Sequence, residues 1–100
     1  MINMTPVDID GKMFQAIRVQ LPKTNLLMIG NDKGYIMCGA LDVDLLNEKL
    51  ADRKVIAGRA VGVRSIDDLL TAPLEKITDA SKEYGWEIGM IGKDALSKLV

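Results

Sequence analysis

The sequence predicts an α+β domain with a mixed sheet of about five strands, built from an N-terminal hairpin, a second hairpin and one parallel β-α-β crossover, with helices at the C-terminal end. This prediction rests on turn signals between apolar runs, on an amphipathic helical segment between two β-type runs, and on helix-start signals in the last third of the chain. The 100 residues suit a single domain. We therefore predict one domain over 1–100, with an N-terminal hairpin over 1–21 and an α/β-type body over 22–100.

The first hairpin is predicted from the turn at Asp10-Gly11, which joins strands over 2–9 and 13–21. Asp-Gly favours a tight hairpin turn because both residues adopt positive φ at low cost. One face of the second strand contains Met13, Ile17, Val19 and Leu21. The other face is predicted to be the more polar one and contains Phe14, Ala16, Arg18 and Gln20.

The middle of the chain is predicted to form a second hairpin and then a crossover. Strands over 26–29 and 35–38 flank a glycine-bounded turn. A helix follows over 41–53, with Asp42 as its N-cap. Its apolar face contains Leu41, Leu45, Leu46 and Leu50. Because the β-branched run over 55–63 returns as a strand, we expect a parallel, right-handed crossover that places the helix on one face of the sheet.

The last third of the chain is predicted to be helical. Ser65 and Asp68 have the spacing of a capping box at the start of a short helix. Pro73 ends that helix or begins the next one, which we expect to stop at Gly85. The apolar side of this second helix contains Leu74, Ile77, Ser81 and Tyr84. A last short helix is expected over about 93–99.

Composition argues against several classes of function. The formal net charge is −1, and the chain has no basic stripe with interleaved aromatic residues, so we expect no nucleic-acid partner. No apolar run approaches the ~20 residues that a membrane span needs. The first six residues lack the basic start and apolar core of a signal peptide. We therefore expect a cytosolic protein without a membrane partner.

The absence of histidine removes most catalytic arrangements. The chain has no His and one Cys, so it cannot build a Cys–His pair, a Ser–His–Asp triad or a His-containing zinc site. Only oxygen ligands remain for a metal ion, and Asp42-Val43-Asp44 is too short a motif to predict such a site. We expect no metal site and no cofactor.

Cys38 is the site candidate with the clearest physical rationale, because it stands just before the predicted helix over 41–53. The amides of Gly39 and Ala40 and the positive end of the helix would stabilise a thiolate or a bound anion there. Cys38 would then act as a nucleophile, a redox sensor or an acyl carrier. The alternative, which is the commoner fate of a free cysteine, is an inert thiol packed as a small hydrophobe.

Arg59 interrupts an otherwise apolar strand and could complete an anion pocket. If its strand lies beside that of Cys38, the guanidinium reaches the same helix start, where Lys33 and Asp42 are further ligand-binding candidates. A structural or subunit-interface ion pair of Arg59 is an equally open alternative. The polar segment 23–25 also gathers groups that could hydrogen-bond a ligand, although a loop led by proline explains it more simply.

Several blocks of the sequence together carry a family resemblance. In chain order, these blocks are LPKTNLL, DKGYIMCGALD, LLNEKLADR, IAGRAVGVRSIDDLL, APLE and the closing GM-x-G-x-x-AL-x-KL. They resemble the YunC-like family of small uncharacterised bacterial and archaeal proteins. The resemblance spans nearly the whole chain. It implies a compact α/β-type domain whose N-terminal strands form a homotetramerisation region, and it implies no activity.

The residues of the first hairpin favour self-assembly independently of the resemblance. Its strands carry apolar residues on both faces, including Val7 and Phe14, and a lone hairpin is marginal in water. Two interpretations of function stay open. The first is a non-catalytic, oligomeric domain that binds a small anionic ligand or a protein partner. The second is a thiol-dependent enzyme or redox sensor in which Cys38 reacts and Arg59 holds an anionic substrate.

Overall fold

The structure is a computed structural model that describes residues 1–99; Val100, the last residue of the predicted domain, lies outside the described residues. Within them, six strands are present: β1 (Ile2–Ile9), β2 (Lys12–Leu21), β3 (Thr24–Gly30), β4 (Tyr35–Met37), β5 (Ala57–Arg59) and β6 (Lys76–Ile77). The α-helices are α1 (Val43–Glu48), α2 (Ile66–Thr71) and α3 (Gly92–Ser97). Two short 3₁₀ helices cover Ala51–Arg53 and Ala80–Tyr84.

The strands form one mixed sheet in the order β1-β2-β3-β4-β5-β6. Neighbouring strands are antiparallel except β4 and β5, which run parallel. The predicted α+β class, both hairpins and the parallel crossover are therefore confirmed. Asp10 and Gly11 form the first turn with φ of 52° and 82°, as the Asp-Gly signal predicts.

The predicted helix over residues 74–84 is wrong, and the sixth strand comes from this segment. The start of the segment is extended because Thr78 ties it to β5: its N–H donates to the carbonyl oxygen of Ala57 at 2.9 Å, and its hydroxyl accepts the Ala57 N–H at 3.2 Å. Only Ala80–Tyr84 is helical, as a 3₁₀ helix. It ends at Gly85, where φ is 82°, so the predicted C-terminal glycine is correct.

One face of the sheet packs against α2 and α3 and forms the core. Phe14 and Ala16 lie on this face with 1% and 3% of their surface exposed, which reverses the prediction that their side of β2 is the more polar one. The polar members of the same side, Arg18 and Gln20, lie toward the β2–β3 turn and stay in contact with solvent. The large buried side chains of this core include Ile9, Leu27, Ile29, Ile36, Leu69, Leu74, Trp86, Leu96 and Leu99.

The crossover elements are shorter than predicted. Helix α1 ends at Glu48. A 3₁₀ helix follows it, and Lys54 then adopts a positive φ of 51°. Strand β5 occupies only three residues of the predicted 55–63 run. Val43 is the buried residue of α1, whereas Leu45 of the predicted apolar face is 44% exposed.

Helix α1 lies on the face of the sheet opposite the core, above β5 and β6. Arg59 points to this side because Gly58, its neighbour in β5, faces the core side chains. Arg59 Nη1 donates to the carbonyl oxygen of Leu41 at 3.2 Å, and Lys76 Nζ bonds the carboxylate of Asp44 at 2.9 Å. These contacts hold α1 over one end of the face.

The other end of this face, formed by β1, β2 and β3, is not covered by α1. Cross-strand neighbours form two apolar rows there: Met4, Ile17 and Met28 in one, and Ile2, Val19 and Leu26 in the other. The exposed fractions are 68% for Ile2, 64% for Met4, 59% for Met13 and 43% for Leu21. We call these eight residues the open face.

Candidate functional site

Cys38 lies directly after β4 with its side chain in the core. The residue is 7% exposed and belongs to the apolar cluster that includes Leu27 and Ile36. Its N–H donates to the carbonyl oxygen of Leu27 at 3.0 Å, and its sulfur lies 4.0 Å from the carbonyl oxygen of Asn25. This is the environment of a packed thiol with little access to reagents.

The turn between β4 and α1 contains the other residues of the predicted helix start. Asp42 Oδ1 accepts the Leu45 N–H at 3.0 Å, which confirms Asp42 as the N-cap. Gly39 and Ala40 precede it and are exposed. Because α1 has only six residues and Asp42 already caps it, the helix adds little positive potential beyond its own cap.

Arg59 forms a bidentate ion pair with Glu75. Its Nη2 donates to Glu75 Oε1 at 2.9 Å and its Nε to Glu75 Oε2 at 3.1 Å, while Nη1 bonds the carbonyl oxygen of Leu41. The side chains of the pair are 21% and 40% exposed. Each guanidinium nitrogen thus has a partner in the chain, as the structural ion-pair alternative for Arg59 requires.

The structure does not bring the predicted site residues together. Arg59 pairs with Met37 across β4 and β5 and faces the α1 side of the sheet. Cys38, the residue after Met37, is packed in the core on the other side. Lys33 lies in the turn before β4, where its N–H donates to Asn31 Oδ1 at 2.9 Å, and Cys38 follows the far end of that strand. These residues do not meet in one pocket, and their functional roles stay predictions.

A second group of polar residues surrounds two cavities of about 280 and 580 Å³, which lie along consecutive parts of the segment over 63–67. The first is lined by Asn3, Thr5, Ala16, Arg18, Ser65, Ile66 and Asp67, and the second by Leu21, Lys23, Thr24, Asn25, Val63 and Arg64. We call these two cavities together the cationic groove. The polar segment 23–25, a ligand-binding candidate in the sequence, forms part of this groove. Arg18 and Arg64 are distant in sequence, and only the fold brings them to the groove.

Further features bear on the chemistry of the chain. Trp86 Nε1 is buried without a hydrogen-bond partner among residues 1–99. Burial raises the pKa of the Tyr35 hydroxyl above its ordinary value of 10.0. In the described part of the chain, no three Cys, Asp or Glu side chains are grouped to hold a metal ion. No helix in that part is long and apolar enough to cross a membrane.

These elements define a class of small α+β domain in which one mixed sheet carries helices on both faces. Residues 37–99 match the family described as a domain of unknown function (DUF1805). The chain belongs to this family, which confirms the predicted YunC-like resemblance. It is 58% identical over 100 residues to the uncharacterized protein YunC of Bacillus subtilis (strain 168), a match that covers 100% of this chain and 99% of YunC.

A solved structure shares the fold. The crystal structure of TA1206, a protein of unknown function from Thermoplasma acidophilum, has a TM-score of 0.88 and 31% sequence identity, over 100% of this chain and 94% of that chain. The names of the family, of YunC and of TA1206 state no activity. Function therefore has to be argued from the residues of this chain.

Proposed function

We propose that the chain is a cytosolic, non-catalytic domain that assembles into a homotetramer through its open face. The observation that carries this proposal is the uncovered apolar surface of β1, β2 and β3, on which two cross-strand rows of Ile, Met, Val and Leu meet solvent. Contiguous apolar patches of this kind mark interaction sites on soluble domains. A second copy of the chain is the partner expected for a closed, symmetric assembly.

The energetics favour burial of this surface. Transfer of a fully exposed Ile, Leu or Met side chain out of water contributes about 1.5–3 kcal/mol. Ile2, Met4, Met13 and Leu21 are 43–68% exposed. Covering them would therefore contribute roughly 3–7 kcal/mol per protomer, before the cost of association is subtracted.

Strand β1 supports the same proposal, because it is the edge of the sheet and is paired on one side only. An edge strand of eight residues presents free N–H and C=O groups to another chain. Pro6, in its middle, lacks an N–H and leaves one gap in this row of donors. The open face and this edge adjoin each other, so one subunit could cover both.

The test is the mass of the chain in solution. We expect sedimentation velocity of the wild-type protein at micromolar concentration to give a tetramer. The Met4→Glu variant should dissociate, because it places a charge in the open face. Ile88→Glu is the matched control, since Ile88 is 68% exposed against 64% for Met4 and lies outside the open face. It should keep the wild-type mass. A monomeric wild-type protein, or equal dissociation of both variants, would refute the proposal.

The alternative function is a thiol-dependent enzyme or redox sensor, and the reactivity of Cys38 distinguishes it from the proposed function. The buried position of Cys38 and the absence of a histidine favour an inert thiol. We expect alkylation of Cys38 by iodoacetamide to be slow in the native protein and fast after unfolding. Rapid native alkylation whose rate rises through a pKa well below the ordinary value of about 8.5 would instead favour the enzyme or sensor.

A further inference from the structure

We infer that the cationic groove binds a small molecule with two or more negative charges, carried by carboxylate or phosphate groups. The groove shares Leu21 with the open face, and its other lining residues lie outside that face. One wall of the groove runs from β1 and β2 to the β2–β3 turn, and the other is a single segment over 63–67. With cavities of about 280 and 580 Å³, the groove has room for a metabolite-sized ligand.

Arg18 is the residue that most needs a ligand. It lies half-buried on the core side of β2, between Asn3 of β1 and Leu27 of β3, and it lines the smaller cavity. Within residues 1–99, no carboxylate lies within 4.0 Å of its guanidinium. A partly desolvated cation without a counterion is costly, and a bound anion would remove that cost.

Two more cations line the larger cavity. Lys23 and Arg64 approach it from opposite walls, and neither side chain forms an ion pair within residues 1–99. The carboxylate in the groove lining is that of Asp67, and the nearby Asp68 accepts the backbone N–H of Arg64 at 3.1 Å. The groove lining thus gathers three cations against one carboxylate, although the whole chain has a net charge of −1. This local excess favours an anion.

The backbone of the hairpin turn places Lys23 in an uncommon conformation. Pro22 and Lys23 are the two residues of the turn between Leu21 and Thr24, and Lys23 has a φ of 64°. A proline followed by a residue of positive φ is the pattern of a type II turn, where glycine is the usual second residue. A lysine here supplies a charge at the mouth of the groove, which glycine cannot do. The neighbouring Thr24 and Asn25 add uncharged hydrogen-bonding groups.

The experiment measures binding of inorganic phosphate and of citrate to the full chain. Thermal unfolding and isothermal titration are run at constant ionic strength with chloride as the reference ion, because nonspecific screening of surface charge is then equal. We expect at least one of the two anions to raise the melting temperature above the chloride value, in a saturable way. A preference for phosphate or for citrate identifies the charged group that the ligand carries.

Matched variants locate the site. Arg18→Gln combined with Arg64→Gln should weaken anion binding at least tenfold. Lys49→Gln combined with Arg53→Gln removes the same charge from the α1 side of the sheet and should leave binding unchanged. If circular dichroism shows that the groove variant does not fold, Arg64→Gln alone, at an exposed residue, should still weaken binding at least threefold. Wild-type protein that responds to neither anion, or an equal loss in groove and control variants, would overturn the inference.

Discussion

Gly92→Ala is the substitution that tests the packing of the helical layer most directly. Gly92 is the first residue of α3 and sits against α2, where its N–H donates to the carbonyl oxygen of Ala72 at 3.0 Å. A Cβ atom built on Gly92 would overlap the carbonyl oxygen of Leu69 and would lie 2.8 Å from Cδ1 of Ile36. The first neighbour is backbone, which cannot rotate away. The two helices would therefore have to separate.

The expected cost follows from two opposing effects. Overpacking a well-packed core costs about 1–3 kcal/mol, and two close contacts, one of them with backbone, place Gly92→Ala in the upper half of that range. Alanine is better than glycine in a helix by about 1 kcal/mol. We therefore expect a net loss of about 1–2 kcal/mol in the free energy of unfolding. For a domain of this size, that loss lowers the melting temperature by roughly 5–15 °C.

The assay is guanidinium unfolding followed by the fluorescence of Trp86, the single tryptophan, at matched protein concentration. Gly39→Ala is the control, because a Cβ at Gly39 meets only Cγ1 of Val61 at 3.5 Å, an ordinary contact distance. It should stay within about 0.5 kcal/mol of wild type or be slightly more stable. If Gly92→Ala is as stable as Gly39→Ala, the close approach of α3 to α2 is not as described.

Three further predictions concern single side chains. Asp42→Ala should lower the free energy of unfolding by about 0.5–2 kcal/mol, because it leaves the Leu45 N–H of α1 uncapped. Glu75→Gln should cost at most about 1 kcal/mol, because the ion pair with Arg59 is partly exposed, and added salt should reduce the difference from wild type. Tyr35 has a raised pKa in the folded state, so above pH 10 the unfolded chain loses this proton first and stability falls as pH rises. Tyr35→Phe should make that fall shallower.

Each of these predictions has a control. Asp42→Asn keeps an oxygen acceptor and should lose much less stability than Asp42→Ala; equal losses would mean that the cap is unimportant. For Glu75→Gln, a difference from wild type that does not change with salt would contradict an exposed ion pair. For Tyr35, denaturant unfolding of wild type and Tyr35→Phe is compared between pH 8 and pH 11. Parallel curves would contradict the raised pKa.

Local signals predicted the parts of the fold that depend on neighbouring residues. The Asp10-Gly11 turn needs only the backbone preferences of its own residues, and it forms as expected. Ser65 caps α2 by accepting the Asp68 N–H at 3.1 Å, again a contact over three residues. Asp42 caps α1 in the same way. These features are encoded within one turn of chain and do not depend on the sheet.

The errors arose where a distant partner decides the structure. The segment over 74–84 has helical spacing of apolar residues, but the hydrogen bonds of Thr78 to Ala57 in β5 hold its start as a strand. The faces of β2 were also exchanged. The side chains of β2 alone do not show which of its two faces the helices cover. The face that contains Phe14 and Ala16 is buried, although Arg18 follows on the same face.

The separation of the predicted site residues has a related cause. Parallel pairing of the strands before and after α1 was predicted correctly, and it does place Met37 beside Arg59. Successive side chains along a strand point to opposite faces, so Cys38, which follows Met37, lies on the other side of the sheet from Arg59. The sulfur and the guanidinium are therefore apart although their strands are adjacent. Glu75, the partner of Arg59, lies beyond the end of the crossover and could not be paired with it from spacing.

The same alternation separates the two surfaces that we propose. Ile17 and Val19 lie on the open face, and Arg18, between them in β2, lines the groove on the core side. Assembly through the open face would therefore leave the Arg18 cavity accessible on each subunit, and Leu21 is the groove-lining residue that the interface shares. Monomeric Met4→Glu should then bind phosphate or citrate with the affinity of the wild-type protein. A loss of binding in that monomer, with Ile88→Glu unaffected, would mean that a neighbouring subunit completes the groove.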